Sequence, residues 1–328
     1  MTGPMTGPMM AIGGRGIAAF VCLAALALVP AVAAAADAPF YVGVFARVMI
    51  FAIAALSLDL ILGYGGLVSF GHAVYLGIGA YAVGILSFHG IANGFVHFAV
   101  AICAASVAAL VIGFVSLRTS GVYFIMITLA FSQMVYFLGV SLNQYGGDDG
   151  LNIRRHSDFG SLVDLDNSTI LYYFVLGLLV LFLGLGSRLV RSRFGALLEG
   201  IRSNERRMIA LGFPIFRYKL TAFVIAGAVC GVAGALFANL TLFVSPSIMH
   251  WTRSGEILMM VILGGIGTLF GPVLGAVAYL LLESVLARWS EHWQAILGPL
   301  LILVVLFSKS GLLGLFGFGG TASRRPDA

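Results

Sequence analysis

The sequence predicts an all-α membrane protein, a polytopic transmembrane helical bundle of about 8–10 spans with both ends on the cytoplasmic side. Three observations predict it. Hydrophobic residues make up 60% of the 328 and charged residues only 9%, against roughly 25% charged in a soluble domain. The mean hydropathy is +1.06, and the apolar residues fall in runs close to the roughly 20 needed for one crossing. Basic residues also segregate by loop. If every run crosses and the N-terminus is inside, 13 of the 18 Lys and Arg lie on the cytoplasmic side, as the positive-inside rule requires. The formal charge of +5 therefore bears on topology, and no nucleic-acid partner is expected.

Apolar runs lie at 17–36, 41–62, 74–89, 95–117, 121–142, 169–187, 220–243, 255–271, 273–287 and 294–308. The first, with Arg15 before it and Ala36 at its end, reads either as a first span or as a secretory signal. Ahead of it stands MTGPMTGPMM, a duplicated tetrapeptide expected to be disordered, in which Met5, Met9 and Met10 are alternative starts. The expected organisation is a tail at 1–16, a transmembrane domain at 17–310 and a cytoplasmic tail at 311–328. Within the domain, a cytoplasmic loop spans 188–219 and an outer loop 143–169.

Two segments are too rich in glycine for plain helix: GYGGLVSFGHA at 63–73, with Gly65, Gly66 and Gly71, and GGIGTLFGPVLG at 264–275, with Gly264, Gly265, Gly267, Gly271, Pro272 and Gly275. Both are expected to be broken or re-entrant. Such backbone is tolerated at membrane depth only where protein or a water-filled cavity satisfies it. The spacing of four in Gly267, Gly271 and Gly275, and in Gly227 and Gly231, is also that of closely packed membrane helices. Pro272 suggests a kink or break.

The longest cytoplasmic interruption, 188–219, carries eight basic residues and two acids. Its apolar positions predict a short amphipathic helix at about 195–203 and a further turn from Asn204 to Leu211, stopped by Gly212 ahead of Pro214. Such a unit is a docking surface, or else a basic loop that fixes topology and touches anionic lipid. Its sequence from 195, GALLEGIRSNERRMIALGFPIFRYK, resembles the coupling loop of the permease subunits of branched-chain amino acid ABC importers. LILGYGGLVSFGHAVYLGIGAYAVGIL at 60–86, GVYFIMITLAFSQM at 121–134, YGGDDGL at 145–151 and SGEILMMVILGGIGTLFGPVLGA at 254–276 match that family's pattern in the same order. The resemblance covers about residues 45–310 and favours the LivM-like branch, which carries the long outer loop. Asp59 departs from it where Asn is usual, and Ile266 where Arg or Met is frequent.

The resemblance implies a non-enzymatic transport subunit in a bacterial inner membrane. Its implied partners are a second, homologous permease, two cytoplasmic ABC ATPases and a periplasmic or extracellular solute-binding protein. It implies branched-chain amino acids as solutes, with urea, short amides or other amino acids as alternatives. The sequence adds its own argument: no G-x-x-x-x-G-K-[ST] occurs and the only lysines are Lys219 and Lys309, so ATP must be hydrolysed by other chains. No cofactor is expected.

Candidate ATPase contacts are Glu199, Arg202, Asn204, Glu205, Arg206 and Arg207, with Ala210 and Gly212 allowing close approach. Glu205 resembles the acid of the family's coupling motif, and the alternative for it is a local pair with Arg202 or Arg206 worth about 0–1 kcal/mol. Asp59, Glu256 and Glu283 are acids in apolar surroundings, which makes them functional candidates. An ion-coupled secondary carrier would use them as relays, and Glu283 could instead pair with Arg288. Ser69, His72 and Tyr75 sit at the first break. Thr128, Ser132 and Gln133 are polar at helical spacing on the fifth run and either line a pathway or bind a neighbouring helix. The outer loop, with five aspartates and Arg154, Arg155 and His156, is expected to receive the binding protein. It lacks calcium-loop spacing, and Cys22, Cys103 and Cys230 form no disulfide or zinc pattern, so no metal is assigned.

Overall fold

The computed structural model describes residues 12–160, 164–289, 292 and 295–299. The expected tail at 311–328, residues 1–11 and most of the tenth apolar run lie outside these. Helix α1 (Ile12–Ala35) begins a few residues earlier than the run predicts. It is followed by α2 (Phe40–Asp59), a single π turn (Leu60–Tyr64), α3 (Ala73–Phe88), α4 (Gly94–Ser116) and α5 (Val122–Ser141). The second half holds α6 (Ser168–Val190), the short helices α7 (Arg193–Ser203) and α8 (Glu205–Ala210), then α9 (Ile215–Thr241), α10 (Trp251–Gly264) and α11 (Gly271–Trp289).

Six of the described helical segments are long and apolar enough to cross a membrane: Phe40–Tyr64, Gly94–Ser116, Val122–Ser141, Ser168–Val190, Ile215–Thr241 and Gly271–Trp289. The protein is thus a multi-pass helical bundle. Two other helices fall short. With 16 residues and 14 residues, α3 and α10 rise about 24 and 21 Å at 1.5 Å per residue, less than the roughly 30 Å hydrocarbon core. The non-helical segments beside them, 65–72 and 265–270, make up the difference. These are the two Gly-rich breaks that the sequence predicts.

The core is built on backbone contact between small residues. A Cβ on Gly227 or Gly231 would lie 2.5 Å from the Cβ of Ala109 or Ala105 on α4, and one on Gly79 would strike the Gly231 carbonyl. Glycine at these positions brings α3, α4 and α9 within van der Waals reach, the arrangement that dispersion rewards where lipid supplies no hydrophobic drive. The same device joins α10 to α11, where a Cβ on Gly275 would overlap the Met260 carbonyl. Apolar residues such as Val107, Val111, Met126, Phe137 and Leu181 stay exposed on α4, α5 and α6, which costs nothing against lipid or a partner helix.

Strand β1 (Leu151–Asn152) pairs antiparallel with β2 (Phe243–Val244), in the register Leu151↔Val244. Gly94 donates to the Asp158 carbonyl at 2.6 Å and Asp158 to that of Ala92 at 2.7 Å. The Ser157 amide donates to Asn239 Oδ1 at 2.8 Å. The outer loop is therefore tied to α4 and α9.

Candidate functional site

The cytoplasmic loop folds as its caps dictate. Ser192 accepts from the Phe194 amide to start α7, and Asn204 Oδ1 accepts from that of Arg207 to start α8, both ordinary N-cap geometry. Helix α8 ends in a Schellman turn. Gly212 has φ +83°, its amide donates to the Ile209 carbonyl at 2.8 Å, and that of Phe213 donates to Met208 at 3.2 Å. Gly195, Leu198, Ile201 and Met208 turn inward. The opposite face exposes Glu199, Arg206, Arg207, Ala210 and Gly212 beside Ile209 and Leu211, which are 60% and 64% exposed. Isoleucine and leucine so open give this charged face an apolar spot.

Two of the expected loop contacts have partners within the chain. Glu205 pairs with Lys219 at 2.8 Å, not with Arg202 or Arg206, because the turn at Gly212 brings the start of α9 back beneath α8. Arg202, exposed overall, reaches back with its guanidinium to the end of the π turn. Its Nη1 donates to the Gly63 carbonyl, which is open because the π turn and the break remove its helical partner: the Leu67 amide donates to Ile61 instead, at 2.9 Å. A guanidinium at the C-terminal end of a helix is also favoured by the helix dipole. The side chain packs against both breaks, since an added Cβ would lie 3.1 Å from Arg202 Cγ at Gly66 and 3.3 Å from Arg202 Nη1 at Gly267.

Asp59 completes this junction. It is buried at 1% exposure, its Oδ1 accepts from the Gly267 amide at 2.8 Å, and Arg202 is within Coulomb range. Gly63 lies between them, where an added Cβ would fall 2.3 Å from Asp59 Oδ1 and 2.5 Å from the Gly267 nitrogen. Gly66 and Gly267 have φ of +69° and +73°, so glycine is required there by conformation as well as by space. One carboxylate and one guanidinium thus tie the end of α2, the second break and α7 together. Beside Asp59, an apolar cavity of about 230 Å³ opens between α2, α6 and α9, lined by Leu56, Phe182, Leu189, Ile225 and Leu269.

The other expected residues divide into anchors and a buried group. Thr128 Oγ1 accepts from the Phe70 amide at 3.2 Å, and Ser132 donates to the Met249 carbonyl at 3.0 Å. Thr128 serves the non-helical backbone of the first break and Ser132 the last residue of a 3-10 turn, Pro246–Met249; Gln133 is half-buried on the adjoining face. Ser69 accepts from Gly71 at 3.3 Å, and an added Cβ on Gly71 would lie 2.7 Å from the Thr128 carbonyl. His72 and Tyr75 are fully buried behind the break, with their rings edge to face. His72 Nε2 bonds Ser57 Oγ at 2.7 Å, while His72 Nδ1 and the Tyr75 hydroxyl have no partner. Gly65, Gly264 and Gly271 each lie where a Cβ would overlap a carbonyl, and Pro272 occupies the first turn of α11, where its missing N–H leaves no bond unmade. Glu256 pairs with Arg253 at 2.7 Å. Glu283 faces Arg47 of α2 at 3.9 Å, not Arg288, which lies at the far end of its own helix.

Sequence reasoning passed over Gly63, Ser57, Lys219 and Ser254. Ser254 Oγ accepts from the Ala73 amide at 3.0 Å and so starts α3.

A family described as the branched-chain amino acid transport system, permease component, matches residues 40–306. The chain is 31% identical to a high-affinity branched-chain amino acid permease, LivM, from Escherichia coli K12, over 81% of this chain and 68% of that one. The LivM of Salmonella typhimurium shows the same identity and coverage. A protein described as a probable LivM from Methanocaldococcus jannaschii is 25% identical over 80% of this chain and 89% of its own. No solved structure matches the chain significantly.

Proposed function

The chain belongs to the branched-chain amino acid permease family, and from that premise we propose that it forms one side of the translocation pathway of an ATP-driven importer. In this reading it resides in a bacterial inner membrane with a second, homologous permease, two cytoplasmic ABC ATPases and an external solute-binding protein. The solutes are branched-chain amino acids, after the names of the relatives. The chain performs no covalent chemistry, and hydrolysis belongs to its partners.

The observation that carries the mechanism is the Arg202 bridge. An ATPase seated on Ile209, Leu211 and the charges Glu199, Arg206 and Arg207 would shift α7 as its nucleotide site closes. Arg202 moves with α7 and is bonded to the Gly63 carbonyl, while Gly267 is held by Asp59 four residues earlier in the same segment. A displacement of α7 therefore reaches both breaks at once. The path runs along the first break, where Gly66 is exposed and Leu67 and Val68 half-exposed. Non-helical backbone open at membrane depth must face water or protein, not lipid.

Purification of the tagged chain from gently solubilised native membrane tests the assembly. The wild type brings down a second permease and two ATPases, and Leu211→Asp keeps the permease but loses the ATPases. Recovery of the chain alone contradicts the importer reading, and full ATPase retention by the variant removes the α8 surface from docking.

A further inference from the structure

The apolar cavity beside the Arg202–Asp59 junction takes no part in the mechanism above. Its volume is about 230 Å³, and it runs along α6 from Phe182 to Val190, with the end of α2 on one side and Ile225, Ala226 and Val229 of α9 on the other. Eight residues of helix rise about 12 Å, which keeps the cavity within one leaflet of a hydrocarbon core roughly 30 Å thick. Its mouth opens outward: Leu185, one of its walls, is 53% exposed, and Leu181, one turn earlier, is 50% exposed. Arg188 follows Leu185 at a spacing of three, so these side chains form one stripe of α6, apolar along its length and cationic at its end. Arg188, Arg191 and Arg193 are all exposed, and no ion pair joins any of them to an acid among the described residues.

We propose that this cavity and the arginines at its end bind an anionic phospholipid, with one acyl chain lying in the cavity and the phosphate held by Arg188 and Arg191. An apolar cavity stays dry and takes up apolar matter. The volume is below the roughly 300–1,000 Å³ of pockets for compact ligands, and a neighbouring helix, about 10 Å across, can cover the mouth but not enter. A single hydrocarbon chain enters. The headgroup is selected by charge, since guanidinium groups bind phosphate oxygens strongly, and unpaired arginines at a membrane surface attract anionic lipid. A zwitterionic headgroup brings a cation of its own to the same place and gains less. The seated chain lies against Leu269 of the second break and against α2 at Asp59, so the lipid fills the apolar side of the junction that Arg202 closes on its polar side. The site concerns the lipid around the chain and does not depend on which solute is carried.

The test uses the tagged chain purified from native membrane with the subunits that accompany it, and native mass spectrometry with dioleoylphosphatidylglycerol and dioleoylphosphatidylcholine as probes. The wild type should retain the first lipid at least about tenfold better than the second. The double variant Arg188→Gln, Arg191→Gln should weaken phosphatidylglycerol binding more than about tenfold, at about fivefold for each charge removed at a membrane surface. Gly186→Leu fills the cavity without a backbone clash, since an added Cβ meets only Leu269 Cδ1 at 3.5 Å. It should lose retention with both arginines in place. Size exclusion checks that each variant assembles. A further measurement needs no variant: phosphatidylglycerol should raise the melting temperature of the wild type, as a ligand of the folded state does. Glycerophosphate, with the phosphate and no chains, should neither raise it nor displace the lipid. Equal retention of the two lipids, wild-type retention by either assembled variant, or displacement by glycerophosphate overturns the site. So does an assembled wild type that retains no lipid, as when a neighbouring subunit covers the mouth.

Discussion

The two Gly-rich breaks do the same topological work and are held in different ways. The first, 65–72, is fastened from three neighbouring elements. Thr128 of α5 holds the Phe70 amide, Ser57 of α2 bonds His72 Nε2 and Cys230 of α9 donates to the His72 carbonyl at 3.5 Å, while Ser254 and Arg202 hold Ala73 and Gly63 at its two flanks. The second, 265–270, has one hydrogen bond from another element among the described residues, Gly267 to Asp59, and otherwise closes on itself through Thr268 and the Gly265 carbonyl at 2.6 Å. The more weakly fastened segment is the freer to move. The comparison assigns the first break the part of a fixed wall at its outer end and the second that of a moving one, with the Arg202–Asp59 junction as their shared hinge.

The comparison breaks most severely if the hinge is reversed. Arg202→Glu places a carboxylate against the Gly63 carbonyl and within reach of Asp59, and uptake into proteoliposomes should fall by more than about tenfold, the scale of coupling between linked sites. Next in size is Gly63→Ala, whose methyl has no room between Asp59 and Gly267. Overpacking of this kind destabilises by about 1–3 kcal/mol, read as a lower melting temperature of the purified chain in detergent. Ser254→Ala and Thr128→Val leave the Ala73 amide at the end of the first break and the part-buried Phe70 amide within it without their acceptors, a loss of about 1–3 kcal/mol. They should lower thermal stability while changing the ratio of solute moved to ATP hydrolysed little, because they loosen the wall and not the hinge. Smallest is Asp59→Asn, which keeps an oxygen for the Gly267 amide and should leave uptake within about twofold of wild type; Asp59→Leu, without that oxygen, should lose more. Abolished uptake by Asp59→Asn in an assembled complex would instead favour a proton relay through Asp59.

Much of this was legible in the sequence where local chemistry decides the outcome. Ser192, Asn204 and Gly212 set the ends of α7 and α8 through caps that act within four residues, and the glycines at 63–66 and 264–267 announce breaks because little else tolerates those conformations. What could not be read is set by chain crossings. Glu205 finds Lys219 only because Gly212 reverses the chain, Glu283 finds Arg47 because α11 lies on α2, and Arg202 turns back because a carbonyl freed more than a hundred residues earlier lies beneath it. Charge pattern assigns each a side of the membrane and says nothing about which neighbour each one meets. The hydroxyls of Thr128 and Ser132 were legible as polar residues on one helical face, but their use depends on segments that only the packing of α3, α5 and α10 brings within reach.

The central claim is that Arg202 carries motion from the coupling helix to both breaks, and the most direct test is the stoichiometry of the reconstituted importer carrying Arg202→Gln. Glutamine keeps a hydrogen-bonding amide but loses the charge and the reach to Gly63. The account predicts that the ATPases stay bound and hydrolyse ATP, while leucine taken up per ATP falls well below the wild-type ratio. A wild-type ratio in the variant would contradict it and separate the coupling helix from the breaks.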